Sequence, residues 1–292
     1  MSGPLATRLA LVRVAVGAVC VWTLLRQPGE VPGLGVEPGA IFRPVGLARL
    51  LDAPLPPAFV AVWQGVTVLL GVAWTLGWSW RVTAPAFAAA FLGWATWRLC
   101  WGAIAHDLHL LTLHVLALAF LPAAGALSVD ARRAGRLAWL PDGAVADVWV
   151  RGGLRLVGGL TVVTYVLAGL AKVGRSFAWA SGASLADHLS VAVLVSLVYR
   201  PGDGLPPGFT FVLDHPALLA IGAPLTLALE LGAPLALVHR YAGVTRAVGI
   251  FAMHVGIAGA MNVVFPYPTF GLAFLSFLPV ERLLRGQYTS VR

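Results

Sequence analysis

Lysine occurs once in this chain of 292 residues, at Lys172, so 19 of the 20 basic residues are arginines. An amine in apolar surroundings can lose its proton near neutral pH and act as a general base or nucleophile, whereas a guanidinium stays charged. Lys172 follows the apolar run 160–171, and the acidic residues nearest in sequence, Asp147 and Asp187, fall in predicted loops. We therefore predict that Lys172 is a catalytic base without a permanent counter-ion. The alternative is a lysine that reaches from a helix end to the lipid headgroups.

A second group of candidate residues comprises His106, Asp107, His109 and His114. On a helix, Asp107 and His114 share one face, and His106 lies beside it. We predict that His106 and His114 are catalytic partners of Lys172, as a proton relay or as hydrogen-bond partners, and that Asp107 contributes to substrate binding. The alternatives are solvation at the membrane surface for His106 and His109, and a hydrogen bond to a neighbouring helix for His114.

Three further polar residues, Glu230, His254 and Asn262, interrupt apolar runs near the C-terminus. Ionisable groups inside a membrane are costly unless they are paired, so each is a functional hypothesis. We expect Asn262 to line an apolar pocket with Lys172 and His106, because the three lie at similar depth in their predicted spans. The alternative for Glu230 is a structural buried pair with His254 or with an arginine.

Metal and nucleotide chemistry find little support. His106 and His109 are spaced as two helical metal ligands, but no HExxH or similar motif completes the set. The sequence therefore predicts no metal site. It also carries no phosphate-binding loop and no GxSxG motif.

The composition is that of an integral membrane protein. Hydrophobic residues make up 59% of the chain and charged residues 11%, and the mean hydropathy is +0.85. So few charges cannot cover a soluble globule, which excludes a soluble enzyme, a disordered chain and a secreted disulfide scaffold. The net charge of +8 comes from basic residues at the ends of apolar runs, a pattern that indicates contact with membrane lipid and not with nucleic acid.

The apolar runs predict an all-α fold, a polytopic membrane helix bundle of about eight transmembrane helices. The predicted spans are 8–25, 58–78, 82–104, 107–123, 153–173, 216–238, 244–263 and 267–281. The segment 185–199 is either a re-entrant or interfacial helix or a ninth span.

The arginines predict the orientation. With the N-terminus inside, 13 arginines of the loops and span ends lie on the cytoplasmic side and 5 on the outer side, which favours both termini in the cytoplasm. The chain is rich in Ala, Gly, Val, Leu and Arg and nearly free of Lys. This composition is typical of a high-GC bacterial source, so we expect a multi-pass protein of a bacterial plasma membrane.

Six short motifs follow one another along the chain: Ala105-His106-Asp107, Leu127-Ser128-Val129-Asp130, Tyr165-x-x-Ala168-Gly169-Leu170-Ala171-Lys172, Trp179-x-x-Gly182, Met253-His254 and Phe265-Pro266. Together they resemble the HTTM family, the membrane domain shared with vitamin K-dependent gamma-carboxylases. The resemblance is strongest over residues 90–280. In that family the lysine that Lys172 matches is the proposed base in the oxygenation of vitamin K hydroquinone.

The resemblance implies a carboxylase-like enzyme with a reduced quinone as cofactor and a lipid-soluble or peptide substrate. It assigns substrate-binding roles to His254 and Trp179 and a catalytic role to His106. The chain ends about a dozen residues after its last predicted span. We therefore expect a single transmembrane domain over 1–292, without the extramembrane peptide-binding domain of the carboxylases and without glutamate carboxylation.

A non-catalytic protein is the competing interpretation. It would be a membrane maturation or export factor for a peptide or protein partner, with the segments 26–57 and 176–199 as docking surfaces. A transporter is less well supported, because neither repeated halves nor a polar path is visible in the sequence.

Overall fold

The computed structural model describes residues 3–26, 38–102, 106–134, 144–199 and 204–285. Over these ranges the regular structure is entirely helical, which confirms the all-α prediction. Ala105 of the first motif and residues 27–37 of the predicted docking segment lie outside the described residues. The α-helices are α1 (Pro4–Arg26), α2 (Pro38–Ile41), α3 (Pro57–Leu76), α4 (Trp80–Arg98), α5 (His109–Ala119), α6 (Val129–Ala134), α7 (Ala144–Arg175), α8 (Ala183–Tyr199), α9 (Pro207–Asp214), α10 (Pro216–Leu231), α11 (Arg240–Met261), α12 (Pro266–Thr269) and α13 (Glu281–Arg285).

The chain forms two compact units, residues 1–157 with 279–292, and residues 158–278. In the first unit α1 packs on α3, α5 and α13, and α4 packs on α3 and α5. Its interior contains a ladder of buried aromatic rings with centroids 5.3–5.9 Å apart, formed by Trp74, Trp80, Phe87, Phe91 and Trp94. In the second unit α11 is the central helix and packs on α8, α9, α10 and α12.

The helix ends follow local sequence signals. Helix α3 begins at Pro57, where the missing N–H costs no hydrogen bond, and ends at Gly77 in the left-handed region with φ 63°. Helix α11 also ends on a left-handed residue, Asn262, with φ 52°. Glycine and asparagine are the residues that adopt this conformation most readily.

Four helices are long and apolar enough to cross a membrane: Pro4–Arg26, Pro57–Leu76, Ala146–Arg175 and Arg240–Met261. They correspond to the predicted spans 8–25, 58–78, 153–173 and 244–263. A fifth crossing is formed if the segments Gly208–Asp214 and Pro216–Leu231, which meet at a bend of 103°, are one broken span. The described residues thus provide four spans, or up to five, where the sequence predicted eight.

The missing spans have identifiable causes. Helix α4 has 19 residues, but Arg81, Arg98 and several small or polar side chains lower its hydropathy. Helix α5 has 11 residues, about 17 Å at 1.5 Å per residue, against a hydrocarbon thickness of about 30 Å. Prolines and Gly271 divide the predicted span 267–281 into one-turn pieces. Apolar composition was therefore a poorer guide to span number than the continuity of each helix.

The segment 185–199 forms α8, a helix of 17 residues. At about 26 Å it is slightly short for a perpendicular crossing. Its exposed apolar side chains include Val191, Leu194 and Val198.

Candidate functional site

The single lysine is paired with a carboxylate from another helix. Nζ of Lys172, in the last turn of α7, donates to both carboxylate oxygens of Glu230 on α10, at 2.6 and 2.8 Å. The Glu230 side chain is 4% exposed and that of Lys172 is 23% exposed. The prediction that Lys172 has no counter-ion is therefore wrong. The alternative in which Glu230 pairs with His254 or an arginine is also wrong, because its partner is the lysine. The fold brings together charges that are 58 positions apart in the chain.

A glycine allows the two helices to approach at this pair. Gly169 lies almost one turn before Lys172 on α7. A Cβ added to Gly169 would lie 2.9 Å from Cδ2 of Leu231 and 3.1 Å from Cβ of Glu230. Both distances are shorter than ordinary van der Waals contact, so a larger residue would force the side chains of Leu231 and Glu230 to shift. Gly169 is therefore part of the geometry that closes the ion pair.

The indole of Trp179 covers the ammonium. Nζ of Lys172 lies 5.5 Å from the Trp179 ring centroid, within the range of a cation–π interaction. Trp179 is buried, and its ring is 5.1 Å from that of His188. Gly182 follows with φ 84°, and a Cβ there would lie 2.7 Å from the carbonyl oxygen of Leu219. The Trp179-x-x-Gly182 motif thus places an aromatic face beside Lys172 while α8 packs closely on α10.

A second polar pair lies between α7 and α11. The hydroxyl of Tyr165 and Nε2 of His254 are 2.8 Å apart, and both side chains are buried. Aromatic rings surround the pair, with Phe274 at 6.1 Å from Tyr165 and Phe265 at 5.6 Å from His254. The hydrogen bond is therefore formed in an apolar environment, where it fixes the orientation of the imidazole.

The two pairs form one cluster. Tyr165 and Lys172 are seven residues apart on α7, which places them on the same helical face. Gly169, which lies between them in sequence, packs against Glu230 of α10. Three helices thus contribute four proton-exchanging groups to one region of the second unit.

The second nitrogen of His254 lacks a hydrogen-bond partner. Nδ1 is buried and has no hydrogen-bond partner among the described residues. A neutral imidazole has one donor and one acceptor nitrogen. If Nε2 accepts the hydrogen bond of the Tyr165 hydroxyl, Nδ1 carries a proton that no acceptor of the described residues receives.

A small cleft adjoins Tyr165. It is lined by α7, α11 and the turns around Ala233 and Phe274, and the centre of a water-sized sphere can occupy about 10 Å³ within it. That is room for about one water molecule, whereas pockets for drug-sized ligands measure about 300–1,000 Å³. The cleft does not admit a ring-sized substrate in this conformation.

The other predicted site residues have different environments. His114 is fully buried in the first unit, where Nε2 lies 3.1 Å from the carbonyl oxygen of Val157. Asp107 forms an ion pair with Arg98 at 3.6 Å, and His106 is exposed. Asn262 ends α11 and is partly buried. The structure thus brings Lys172, Trp179 and His254 to one region; the joint site of these residues with His106, His114, Asp107 and Asn262 stays a prediction.

The comparisons with known proteins identify the family. The HTTM domain model matches residues 5–277. The chain belongs to the HTTM domain family. The match confirms the family resemblance and extends it to nearly the whole chain, through both compact units. Neither the comparison with curated proteins nor that with solved structures finds a match.

The Leu127-Ser128-Val129-Asp130 motif of this HTTM domain has a structural role. The Asp130 carboxylate accepts the backbone N–H groups of Ser79 and Trp80 at 2.9 and 2.8 Å, which caps the start of α4. The hydroxyl of Ser128 donates to the carbonyl of Ala124 at 2.6 Å and accepts the N–H of Ala131 at 2.9 Å. The motif therefore joins the turn after α5 to the start of α4.

Arg13, inside α1, completes this arrangement. Its guanidinium is buried and donates to the carbonyl of Ala123 at 2.8 Å and to that of Leu127 at 2.5 Å. It also lies 5.9 Å from the Trp80 ring centroid. From the sequence, Arg13 was one of the 13 arginines assigned to the cytoplasmic side. Its position inside an apolar helix is the signal that could have identified it, because an arginine there needs acceptors.

The described part of the HTTM domain contains no group of three or more His, Cys, Asp or Glu side chains placed to hold a metal ion. The roles of Tyr165 and Gly169 were not predicted from the sequence. Both lie in the motif that ends at Lys172, so their seven-residue and three-residue spacing from the lysine was the available signal.

Proposed function

We propose that this HTTM domain is a membrane-embedded enzyme that takes a proton from a hydroxyl group of a lipid-soluble substrate, with Lys172 as the base. A reduced quinone is the substrate or cofactor class that the carboxylase-like resemblance implies. The observation that carries the proposal is the partly exposed Lys172 paired with the buried Glu230 under the ring of Trp179. Buried ion pairs are costly to form, and they are common at sites of proton transfer in membranes.

The pair can supply a base while the net charge of the pair and the substrate together stays unchanged. The ammonium proton passes from Nζ of Lys172 to a carboxylate oxygen of Glu230, and the freed lone pair on Nζ then takes the proton of the substrate hydroxyl. The products are a substrate oxyanion, a Lys172 ammonium beside it and a neutral Glu230 carboxylic acid. The oxyanion replaces the carboxylate as the counter-ion of the ammonium. Proton transfers of this kind contribute about 10²–10⁴ to a rate.

The neighbouring groups suit an aromatic substrate. Trp179 presents a ring close to Nζ, and aromatic rings stack in offset or edge-to-face arrangements. Because the cleft beside Tyr165 is small, we propose that the substrate reaches Nζ from the exposed side of Lys172.

The proposed enzyme lies in a bacterial plasma membrane with both termini in the cytoplasm. Four spans, an even number, would place both termini on one side, and five would not. The cytoplasmic side is the one favoured by the arginine count of the eight-span prediction.

The experiment measures quinol-dependent oxygen uptake by the full chain in lipid nanodiscs, with a reduced naphthoquinone as the probe. Deprotonated quinols react with oxygen faster than neutral ones, so catalysed deprotonation raises uptake above the rate in empty nanodiscs. We expect Lys172→Arg to lower this excess by at least about 100-fold, although arginine preserves the positive charge and can still pair with Glu230. Equal uptake with wild-type protein and with empty nanodiscs would contradict the proposal and favour the maturation-factor interpretation.

A further inference from the structure

The segment between the first two spans lies at one membrane surface. Helices α1 and α3 are both long and apolar enough to cross the bilayer. The chain between Arg26 and Pro57 therefore connects span ends on the same side. Its described part contains α2 and a 3-10 helix, Gly46–Leu50.

This segment is fixed to the ends of α3 and α4. Phe42 is buried against Trp97 and Val60, and its ring is 5.4 Å from that of Trp101. The backbone N–H of Arg43 donates to the carbonyl of Cys100 at 2.7 Å. These contacts hold the 3-10 helix in a defined position near the start of α3.

The 3-10 helix is amphipathic. Ala48 and Leu51 pack against the buried cluster. Leu47 and Leu50 point away from it and are 76% and 83% exposed. Residues three apart lie on the same side of a 3-10 helix, so these two leucines form one apolar edge. Two leucines at this exposure are unfavourable in water and favourable in the acyl region of a bilayer.

Basic residues flank the leucines. Arg43 and Arg49 are exposed on either side of Leu47. Two further arginines near the adjoining helix ends lie over tryptophans, Arg26 at 5.7 Å from the Trp22 ring and Arg98 at 5.4 Å from the Trp94 ring. Arginines and tryptophans together are typical of the headgroup level of a membrane.

We propose that the Gly46–Leu50 helix is an interfacial anchor for anionic phospholipid. Leu47 and Leu50 enter the boundary between headgroups and acyl chains, and the guanidinium groups of Arg43 and Arg49 bind lipid phosphates. A polar docking partner in water would leave the two leucines without apolar contact, whereas a lipid surface satisfies the leucines and the arginines at once.

The test uses spin labels on single introduced cysteines, Leu47→Cys and Leu50→Cys, in the full chain. The two native cysteines, Cys20 and Cys100, are 0% exposed and free. In phosphatidylglycerol nanodiscs we expect both labels to collide preferentially with oxygen, which concentrates in the acyl region, over a water-soluble nickel chelate. A label at Asp52, which is exposed and polar, is the water-side control. The proposal would be overturned if labels at Leu47 and Leu50 showed the same ratio of oxygen to chelate collisions as the label at Asp52.

A second comparison tests whether the anchor requires anionic lipid. The Arg43→Gln/Arg49→Gln variant is expected to move the Leu50 label toward water in phosphatidylglycerol, because each arginine near an anionic surface changes the binding constant by about fivefold. In phosphatidylcholine the same variant should have no effect. Arg132→Gln/Arg133→Gln, exposed arginines of α6, is the matched control and should leave the label depth unchanged. A Leu50 label at the same depth in both lipids and in both variants would contradict phosphate binding.

Discussion

Breaking the Lys172–Glu230 pair should destabilise the protein, and removing the second partner as well should add little further cost. Glu230→Gln leaves an ammonium beside a buried amide, and Lys172→Met leaves a carboxylate that is 4% exposed without its counter-ion. Removing one member of a fully buried pair costs about 3–5 kcal/mol, and an exposed pair is worth about 0–1 kcal/mol. Because the Lys172 side chain is 23% exposed, we expect a cost of about 2–3 kcal/mol for each single variant.

The assay is equilibrium unfolding in mixed micelles with increasing SDS, followed by tryptophan fluorescence. The double variant Lys172→Met/Glu230→Gln should be more stable than the sum of the single effects predicts, with a coupling of about 1.5–3 kcal/mol. The matched control is the pair Arg98–Asp107, which is 3.6 Å apart and 24% and 23% exposed; its coupling should stay below about 1 kcal/mol. Additive single effects at Lys172 and Glu230 would refute the buried-pair reasoning.

Three further predictions concern other parts of the chain. Burial alone would raise the pKa of Glu281, but two hydrogen bonds from Arg8 and the charge of Arg8 outweigh burial and lower this pKa. The stability that results is fully present above the pKa of an unfolded glutamate, about 4.3. It is lost as the pH falls through the lower pKa of the folded state. Glu281→Gln should therefore cost about 1–3 kcal/mol at pH 7 and little below pH ~3, and an unfolding series with a pH-independent difference would contradict this. Gly169→Ala should cost about 1–3 kcal/mol by overpacking, whereas Gly159→Ala, where a Cβ meets nothing within 4 Å, should be neutral or slightly stabilising; equal effects would disprove close approach at Gly169. A fluorescent protein fused after Arg292 should be fluorescent in the cytoplasm, and an active periplasmic phosphatase at that position would contradict a cytoplasmic C-terminus.

The sequence predicted the fold class well and the span number poorly. Composition alone requires a membrane protein, and the four uninterrupted apolar helices match four predicted spans closely. Other predicted spans failed for two reasons. Some apolar runs continue across helix breaks, as between Pro266 and Pro279, and α4 carries arginines within its length. Hydropathy measures average polarity and does not detect where the backbone turns.

The candidate site was predictable residue by residue but not in its pairings. The solitary lysine was identified from residue usage, and Trp179 and His254 from the family resemblance. The partner of Lys172 could not be found by sequence proximity, because Glu230 lies on another helix 58 positions away. The packing of α7 on α10, which Gly169 permits, brings the two charges together.

The most direct test of the proposed function uses the fact that the chain contains one lysine. Protein produced with lysine that carries ¹⁵N at Nζ gives a single side-chain signal in solid-state NMR of lipid nanodiscs, and that signal reports Lys172 alone. Our account predicts that saturating reduced naphthoquinone shifts this signal, because the substrate hydroxyl joins Glu230 as a hydrogen-bond partner of Nζ, and that the shift is absent in Trp179→Ala, which removes the ring beside the ammonium. A signal that is unchanged by the quinol in the folded wild-type protein would contradict the assignment of Lys172 as the group that meets the substrate.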